Sequence, residues 1–150
     1  MENVRDIAKW FLSKQSMTHK KLQKLCYYAQ AWYCTLYDGS PLYKDDIEAW
    51  VHGPVIPSLY PIYAEYKWNL IPKQNFDESI FDEKVLDVLN AVYNTYGDFD
   101  GDQLEAITHR EAPWKDARGD LKPLDVCHNV IACDAMRSYY GELYKQSQGE

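Results

Sequence analysis

The sequence predicts a mainly α fold, a compact bundle of about six helices around one central buried helix, with a small short-stranded β element near residues 47–52. Apolar residues recur at helical spacing along most of the chain, and one segment, about residues 18–37, is apolar on nearly every face. A content of 46% hydrophobic and 26% charged residues is typical of a globular protein. A chain of 150 residues has the length of one domain, so we assign residues 1–150 to a single domain.

The chain begins with two predicted helices. Val4, Ile7 and Phe11 follow helical spacing, and a short polar break separates this first helix from the next. Thr18 is the predicted N-cap of the second helix, which continues to the stop signal Asp38-Gly39. Because the second helix is apolar almost all round after its first turn, we expect it to lie buried at the centre.

The middle of the chain contains the predicted β element and two further helices. Residues 47–51 alternate like a short strand, which Gly53-Pro54 should end. Residues 55–68 are predicted to be helical with a kink or restart at Pro61, because a proline inside a helix lacks an amide hydrogen and clashes with the preceding turn. Residues 80–96 carry apolar positions on one face and form the next predicted helix.

The carboxy-terminal part is predicted to hold two helices separated by irregular chain. Residues 102–109 form a short helix closed by Pro113, and residues 118–129 are irregular. Residues 134–145 form the last helix. The residues expected to face inward from it are Met136, Tyr140, Leu143 and Tyr144.

The charge excludes some classes of partner. A net charge of −7 and a pI near 5.0 argue against a dedicated nucleic-acid-binding protein. The first 24 residues are the exception, since they hold six Lys or Arg against two acids. We expect a cytoplasmic protein without a membrane partner, because no leader is visible and the longest uncharged run, residues 25–37, is too short to span a bilayer.

The four cysteines do not form a recognisable metal or disulfide pattern. Cys26 and Cys34 are eight residues apart on one predicted helix, too far to pair with each other. Cys127-His128 with Cys133 matches none of the common zinc spacings, and the sequence contains no Cys-X-X-Cys. We therefore predict no metal site and no cofactor.

Three separated motifs resemble one known family. They are Lys21-Leu22-Gln23-Lys24-Leu25 with Tyr27-Tyr28-Ala29-Gln30-Ala31-Trp32, Ile47-Glu48-Ala49-Trp50 with His52-Gly53-Pro54-Val55, and Thr108-His109 with Pro113-Trp114. In this order, and across nearly the whole chain, they resemble the Panacea domain of the SocA-like antitoxins. The resemblance implies a mainly helical fold with a small sheet, encoded in bacteria, phages or other mobile elements beside a toxin gene.

The resemblance also implies the partners. Members of the family neutralise varied toxins by direct protein binding, and one branch presents its toxin to a Clp-type protease, so a cognate toxin and such a protease are the expected partners. Neither activity requires a catalytic residue. Two other roles stay open: a phage or mobile-element protein that regulates or binds a host factor, and a hydrolase or nuclease built around His52, His109, Glu48 and Glu111.

The family-motif residues are expected to serve the structure. They are Lys24, Leu25, Tyr28, Trp32, Trp50, His52, Gly53, Pro54, Thr108, His109, Pro113 and Trp114. We expect the ring of His52 to bond the backbone at its turn and His109 to suit the end of its helix; a general base at His52 is the alternative.

Two groups of residues are candidates for binding a partner. Lys20 and Lys21 lie where positive charge opposes the helix dipole by ~0.3 to 1 kcal/mol per residue. They either pair with acids of this protein, are simply solvated, or form with His19 part of a docking site for an anionic partner. The second group is Tyr63, Tyr66 and Trp68, which cannot all face inward from a kinked helix. Some of these aromatic side chains are therefore predicted to be exposed at an interface, the alternative being that they cap the core.

Overall fold

The central element of the fold is helix α2, His19–Leu36. The computed structural model describes residues 1–149, and Glu150, the last residue of the predicted domain, lies outside them. Thr18 caps α2 as predicted, since its hydroxyl accepts a hydrogen bond from the Lys21 amide at 3.3 Å. Every residue from 21 to 31 is buried, which confirms the predicted central buried helix.

Six further α-helices surround α2. They are α1 (Val4–Lys14), α3 (Tyr60–Tyr63), α4 (Glu83–Tyr96), α5 (Gly101–His109), α6 (Ala112–Arg118) and α7 (Cys133–Gln148). Helices α1, α4, α5 and α7 all pack on α2, which explains why α2 carries apolar residues on most of its faces. The described residues thus hold seven α-helices where about six were predicted, and the mainly α class is confirmed.

The small sheet is a β-hairpin of β1 (Glu48–Trp50) and β2 (Gly53–Val55). The two strands are antiparallel, and Ala49 lies opposite Pro54. Strand β1 ends before Gly53-Pro54 as predicted, but these two residues also begin a returning strand that was not predicted. Gly53 has φ +108°, which lets the chain reverse there, and Pro54, which has no amide hydrogen, lies in a strand that pairs only with β1.

Two prolines lie where helices begin, which agrees with the restart predicted at Pro61 but not with the break predicted at Pro113. Pro61 lies in the first turn of α3, so the helix predicted over residues 55–68 is reduced to four residues and a following 3₁₀ turn. Pro113 lies in the first turn of α6, a helix that the sequence interpretation missed. The first turn suits proline because its backbone angle is already helical and its missing amide hydrogen has no helical acceptor there.

The remaining helices differ from prediction mainly at their ends. Helix α4 begins three residues later than predicted, after the N-cap Asp82, and ends at Gly97 as predicted. In α7, Met136 and Tyr140 are buried as predicted, but Leu143 and Tyr144 are exposed. Residues 142–149 are exposed throughout, so the last turns of α7 extend beyond the packed core. Across residues 1–149, no helix is both long enough and apolar enough to traverse a bilayer.

Candidate functional site

A half-open pocket lies where the amino-terminal half of α2 meets the β-hairpin, the start of α3 and the loop before α7. Its cavity volume is about 320 Å³. The apolar walls are formed mainly by Trp50, Val55, Tyr60, Trp68 and Val126. Ionisable side chains also line it, namely His19, Lys20, Lys24, His52 and His128. The pocket therefore combines a mostly apolar interior with a few charged or polar groups, as small-ligand sites do.

The hairpin wall of the pocket is held by Glu48. Its Oε1 accepts a hydrogen bond from Nε1 of Trp50 at 2.9 Å and lies 3.0 Å from Nδ1 of His128. The bond from Trp50, followed by that from His128, lowers the pKa of the Glu48 carboxyl. Trp50 also packs against Tyr60 with ring centroids 5.1 Å apart. Glu48 thus fixes two aromatic groups of the wall and is itself engaged.

The loop wall of the pocket is held by Arg118, a residue that the sequence interpretation did not single out. Arg118 is buried at the end of α6 and donates to the Ala49 carbonyl of β1 at 3.0 Å and to the Asp125 carbonyl at 2.7 Å. These bonds hold the loop that carries Val126 and His128 beside the hairpin. In the sequence, Arg118 stood only at the start of a segment predicted to be irregular, where a basic side chain is usually solvated.

On the α5 side, Glu105 gathers three basic groups. Lys20 bonds both Glu105 and Asp102, the latter at 2.7 Å, and Nδ1 of His52 lies 3.3 Å from Oε2 of Glu105. His109 is farther, at 3.9 Å. Burial alone would raise the pKa of the Glu105 carboxyl, but the bonds from Lys20 and His52 lower it below its ordinary value. Lys20 is therefore neutralised within the protein.

Lys21 is likewise engaged internally. It is buried, and its Nζ donates to Oε1 of Gln15 at 2.9 Å and to the Gly97 carbonyl at the end of α4 at 2.6 Å. Of the explanations offered for the lysines at the start of α2, the structure favours pairing within the protein for Lys20 and Lys21. Their predicted role in an anion-docking surface is thereby weakened, and only His19 of that group remains without such a partner in residues 1–149.

Lys24, expected to be a structural residue, lies at the pocket with 1% of its surface exposed. Its end approaches the hairpin turn, where Cβ on Gly53 would lie 2.6 Å from Cε and 3.3 Å from Nζ. Burial, and then the charge of Lys20, lower the pKa of the Lys24 amine to about 7, although Glu105 opposes the shift. Burial, and then the charge of Lys24, lower the pKa of the His19 imidazole.

The three predicted interface aromatics have different environments. Trp68 is 85% exposed and lines the pocket, Tyr66 is half-buried, and Tyr63 is only 8% exposed. The prediction that some of these side chains are exposed is confirmed by Trp68, whereas Tyr63 has little surface to offer a partner. Val126 and Tyr60 complete the exposed aromatic and apolar rim. Neither was singled out as a binding residue in the sequence, where Val126 lies in a segment predicted to be irregular and Tyr60 in the helix predicted over residues 55–68.

Most other motif residues lie within the packed structure. Tyr28 donates to Oε1 of Glu111 at 2.7 Å, and Tyr140 donates to the same oxygen at 2.8 Å. Trp114 donates from Nε1 to the Trp50 carbonyl at 2.8 Å, and His109 stacks on Trp114 with ring centroids 4.0 Å apart. Further motif residues placed in or against the core are Leu25, Trp32, Pro54, Thr108 and Pro113.

Both motif histidines approach the Glu105 carboxylate, which was not predicted. The side chain of His52 is 72% exposed and approaches Glu105, so the expected bond from its ring to the turn backbone was wrong. The acids proposed for a catalytic alternative lie elsewhere: Glu48 bonds Trp50 and His128, while Glu111 is buried against Tyr28 and Tyr140. Burial raises the pKa of the Glu111 carboxyl, although both tyrosine bonds oppose this.

Comparison with protein families identifies one match. The family model described as "Antitoxin SocA-like, Panacea domain" matches residues 22–115. The matched range contains Lys24, the whole hairpin and both motif histidines, but not the loop with Val126 or helix α7. The chain has no match among curated proteins or among solved structures.

Proposed function

The chain belongs to the SocA-like antitoxin family with a Panacea domain, and from this membership we propose that it neutralises a cognate protein toxin by direct, stoichiometric binding. The mode of neutralisation is then physical occlusion of the toxin. A Clp-type protease, which would degrade the presented toxin, is the second partner that we propose.

The observation that supports this proposal is an exposed aromatic residue at the mouth of the pocket. Trp68 is 85% exposed and Val126 is 76% exposed, and both line the same cavity with Tyr60. We call these three residues the Trp68 face. Exposed apolar groups that cluster in this way mark interaction sites, and Trp and Tyr contribute a large share of the binding energy at protein interfaces.

We further propose that neutralisation needs no catalysis by this chain. Glu48 and Glu111 are held in separate contacts with aromatic side chains, so they do not serve His52 or His109 as acids beside a shared reactive group. His109 stacks on Trp114, which is a packing role. The exposed side chains of the Trp68 face would form the centre of the contact with the toxin, where aromatic residues contribute most of the binding energy.

The test is co-expression with the toxin encoded beside this chain. Growth should be rescued, and the purified proteins should form a stable complex. Trp68→Ala should weaken toxin binding about tenfold or more, since a central tryptophan commonly contributes above 1.4 kcal/mol. Ile80→Ala, which truncates an exposed apolar residue away from the pocket, is the matched control and should bind normally.

Toxin abundance separates the two modes. Under sequestration the toxin persists in the complex, whereas under protease delivery its level falls when this chain is present and recovers when the protease is removed. Rescue of growth without a complex and without toxin loss would contradict both modes. A complex that tolerates Trp68→Ala together with Val126→Asp would refute the Trp68 face as its contact surface.

A further inference from the structure

The pocket contains a buried cation without a counterion. Lys24 lines it at 1% exposure, and no hydrogen bond or ion pair to Nζ occurs within residues 1–149. Lys20 repels its charge, and the carboxylate that attracts it, Glu105, already bonds Lys20 and His52. A buried charge left unpaired carries a large desolvation cost, which an anion delivered to the pocket would offset.

A second polar group of the pocket also lacks a partner. Nδ1 of His19 is buried and makes no hydrogen bond in the described part of the chain. His19 packs edge-on against Tyr60, with ring centroids 5.5 Å apart, so the ring is held beside the apolar wall. Two unsatisfied polar groups therefore line one cavity whose other walls are mainly aromatic and aliphatic.

We propose that this pocket binds a carboxylate carried on an aromatic or branched aliphatic body. The carboxylate lies against Lys24 and His19, and the body lies between Trp50, Tyr60 and Trp68. A cavity of about 320 Å³ corresponds to roughly ten liquid waters, which is enough for a ligand of this class. The ligand would share Trp68 and Tyr60 with the Trp68 face, but its binding is measured without the toxin, so the result does not depend on the function proposed above.

Charge explains why the ligand is an anion. Glu48 is held by Trp50 and His128, and Glu105 by Lys20 and His52, so the two carboxylates near the rim are already engaged. Lys24 also lines the pocket, and within residues 1–149 neither of these carboxylates bonds it. A cation of the ligand would meet this ammonium in a low-dielectric site, and a neutral ligand would leave it unpaired.

The experiment titrates the full chain below pH 7, where the Lys24 amine is protonated, with matched acid and amide probes by calorimetry. Indole-3-acetate is compared with indole-3-acetamide, and the peptide Gly-Gly-Trp as the free acid is compared with its carboxy-terminal amide. We expect the acid to bind about tenfold or more tighter than the amide in at least one pair, the effect of one charge-assisted hydrogen bond. The pair that shows the difference distinguishes a free small molecule from a protein carboxy terminus. Equal affinities, or no binding by either acid, would overturn the proposal.

Variants assign the effect to the pocket. Lys24→Met should abolish the difference between acid and amide, while Lys115→Met, an exposed lysine on α6, should preserve it. Trp68→Ala should weaken acid and amide by the same factor, because it contacts only the body of the ligand. If Lys24→Met fails to fold, amide chemical shifts of the wild-type chain decide: the acid must perturb His19, Lys24 and Gly53 more than the amide does, and perturbations confined to other regions refute the site.

Discussion

Gly53 and Lys24 fit closely against each other, since a Cβ atom at position 53 would lie 2.6 Å from Cε of Lys24. The φ of +108° at Gly53 is one that other residues rarely adopt. Lys24 is nearly fully buried on α2 and lines the pocket, so its end can withdraw from position 53 only by moving into that cavity. The turn of the hairpin and the base of the pocket are therefore coupled through this one contact.

The first prediction concerns Gly53→Ala. We expect it to lower the free energy of unfolding by about 1 to 3 kcal/mol from backbone strain, and further because the end of Lys24 must move away from the new Cβ. Gly119→Ala is the matched control, since Gly119 also has positive φ, +59°, but nothing lies within 4 Å of its Cβ position. Urea denaturation measures both. Equal losses for the two variants would show that the contact with Lys24 contributes nothing.

The second prediction concerns the pH dependence of stability. The pKa of the Lys24 amine is about 7 in the folded chain and 10.5 in its unperturbed state, so above pH 7 the unfolded chain binds more protons. The free energy of unfolding should therefore rise with pH from about 7 upward, by at most ~1.4 kcal/mol per pH unit for one group. Lys24→Met should be more stable than wild type at pH 6.5, and this advantage should shrink by about 1 to 2 kcal/mol by pH 8.5.

Between pH 6.5 and pH 8.5, other titrating groups contribute little to the change in the free energy of unfolding. The lowered histidine pKa values of His19 and His109 affect stability below about pH 6.5, and the raised pKa values of buried cysteines and tyrosines affect it mainly above pH 9. Lys115→Met controls for loss of an exposed lysine and should follow the wild-type curve. A constant difference between Lys24→Met and wild type across the window would contradict the prediction.

The third prediction concerns the buried hydroxyl of Tyr28. Tyr28→Phe removes the hydroxyl that donates to Glu111 and should cost about 1.5 to 3 kcal/mol, the range for a hydrogen bond to a charged acceptor. Tyr60→Phe removes a hydroxyl from an exposed residue and should change stability by less than about 0.5 kcal/mol. Thermal and urea unfolding measure the difference. If the two variants lose nearly the same free energy of unfolding, the hydrogen bond from Tyr28 to Glu111 contributes no net stability.

The fourth prediction concerns the two motif histidines. His52→Ala combined with His109→Ala should retain toxin neutralisation in a growth assay, because the proposed mechanism uses contact area and not reactivity. Some loss of stability is expected from His109, whose ring stacks on Trp114, so the assay is run below the unfolding temperature of the variant. Loss of neutralisation by a folded double variant, with the toxin complex intact, would support catalysis instead.

The sequence predicted the elements that depend on local pattern. The central helix, its cap at Thr18 and its end at Asp38-Gly39 follow from spacing and side-chain type, and the structure has them within a residue or two. Pro113 was misread because a proline that ends one helix can begin the next, whereas the restart predicted at Pro61 is the start of α3. The second strand was missed because Gly and Pro are rare inside strands. Gly53 and Pro54 are in a strand here because they pair with Trp50 and Ala49 of β1.

The sequence by itself determined the mainly α class, the central buried helix and the family, because each depends on patterns that are local in the chain. Only the tertiary structure decided which lysines are paired and which aromatics are exposed. Lys20, Lys21 and Lys24 lie within five residues of one another, yet Lys20 reaches acids on α5 and Lys21 reaches the end of α4, whereas Lys24 lies at a pocket with no bonded partner among residues 1–149. Their environments are set by residues distant in sequence, so the order of amino acids around them could not distinguish these three roles.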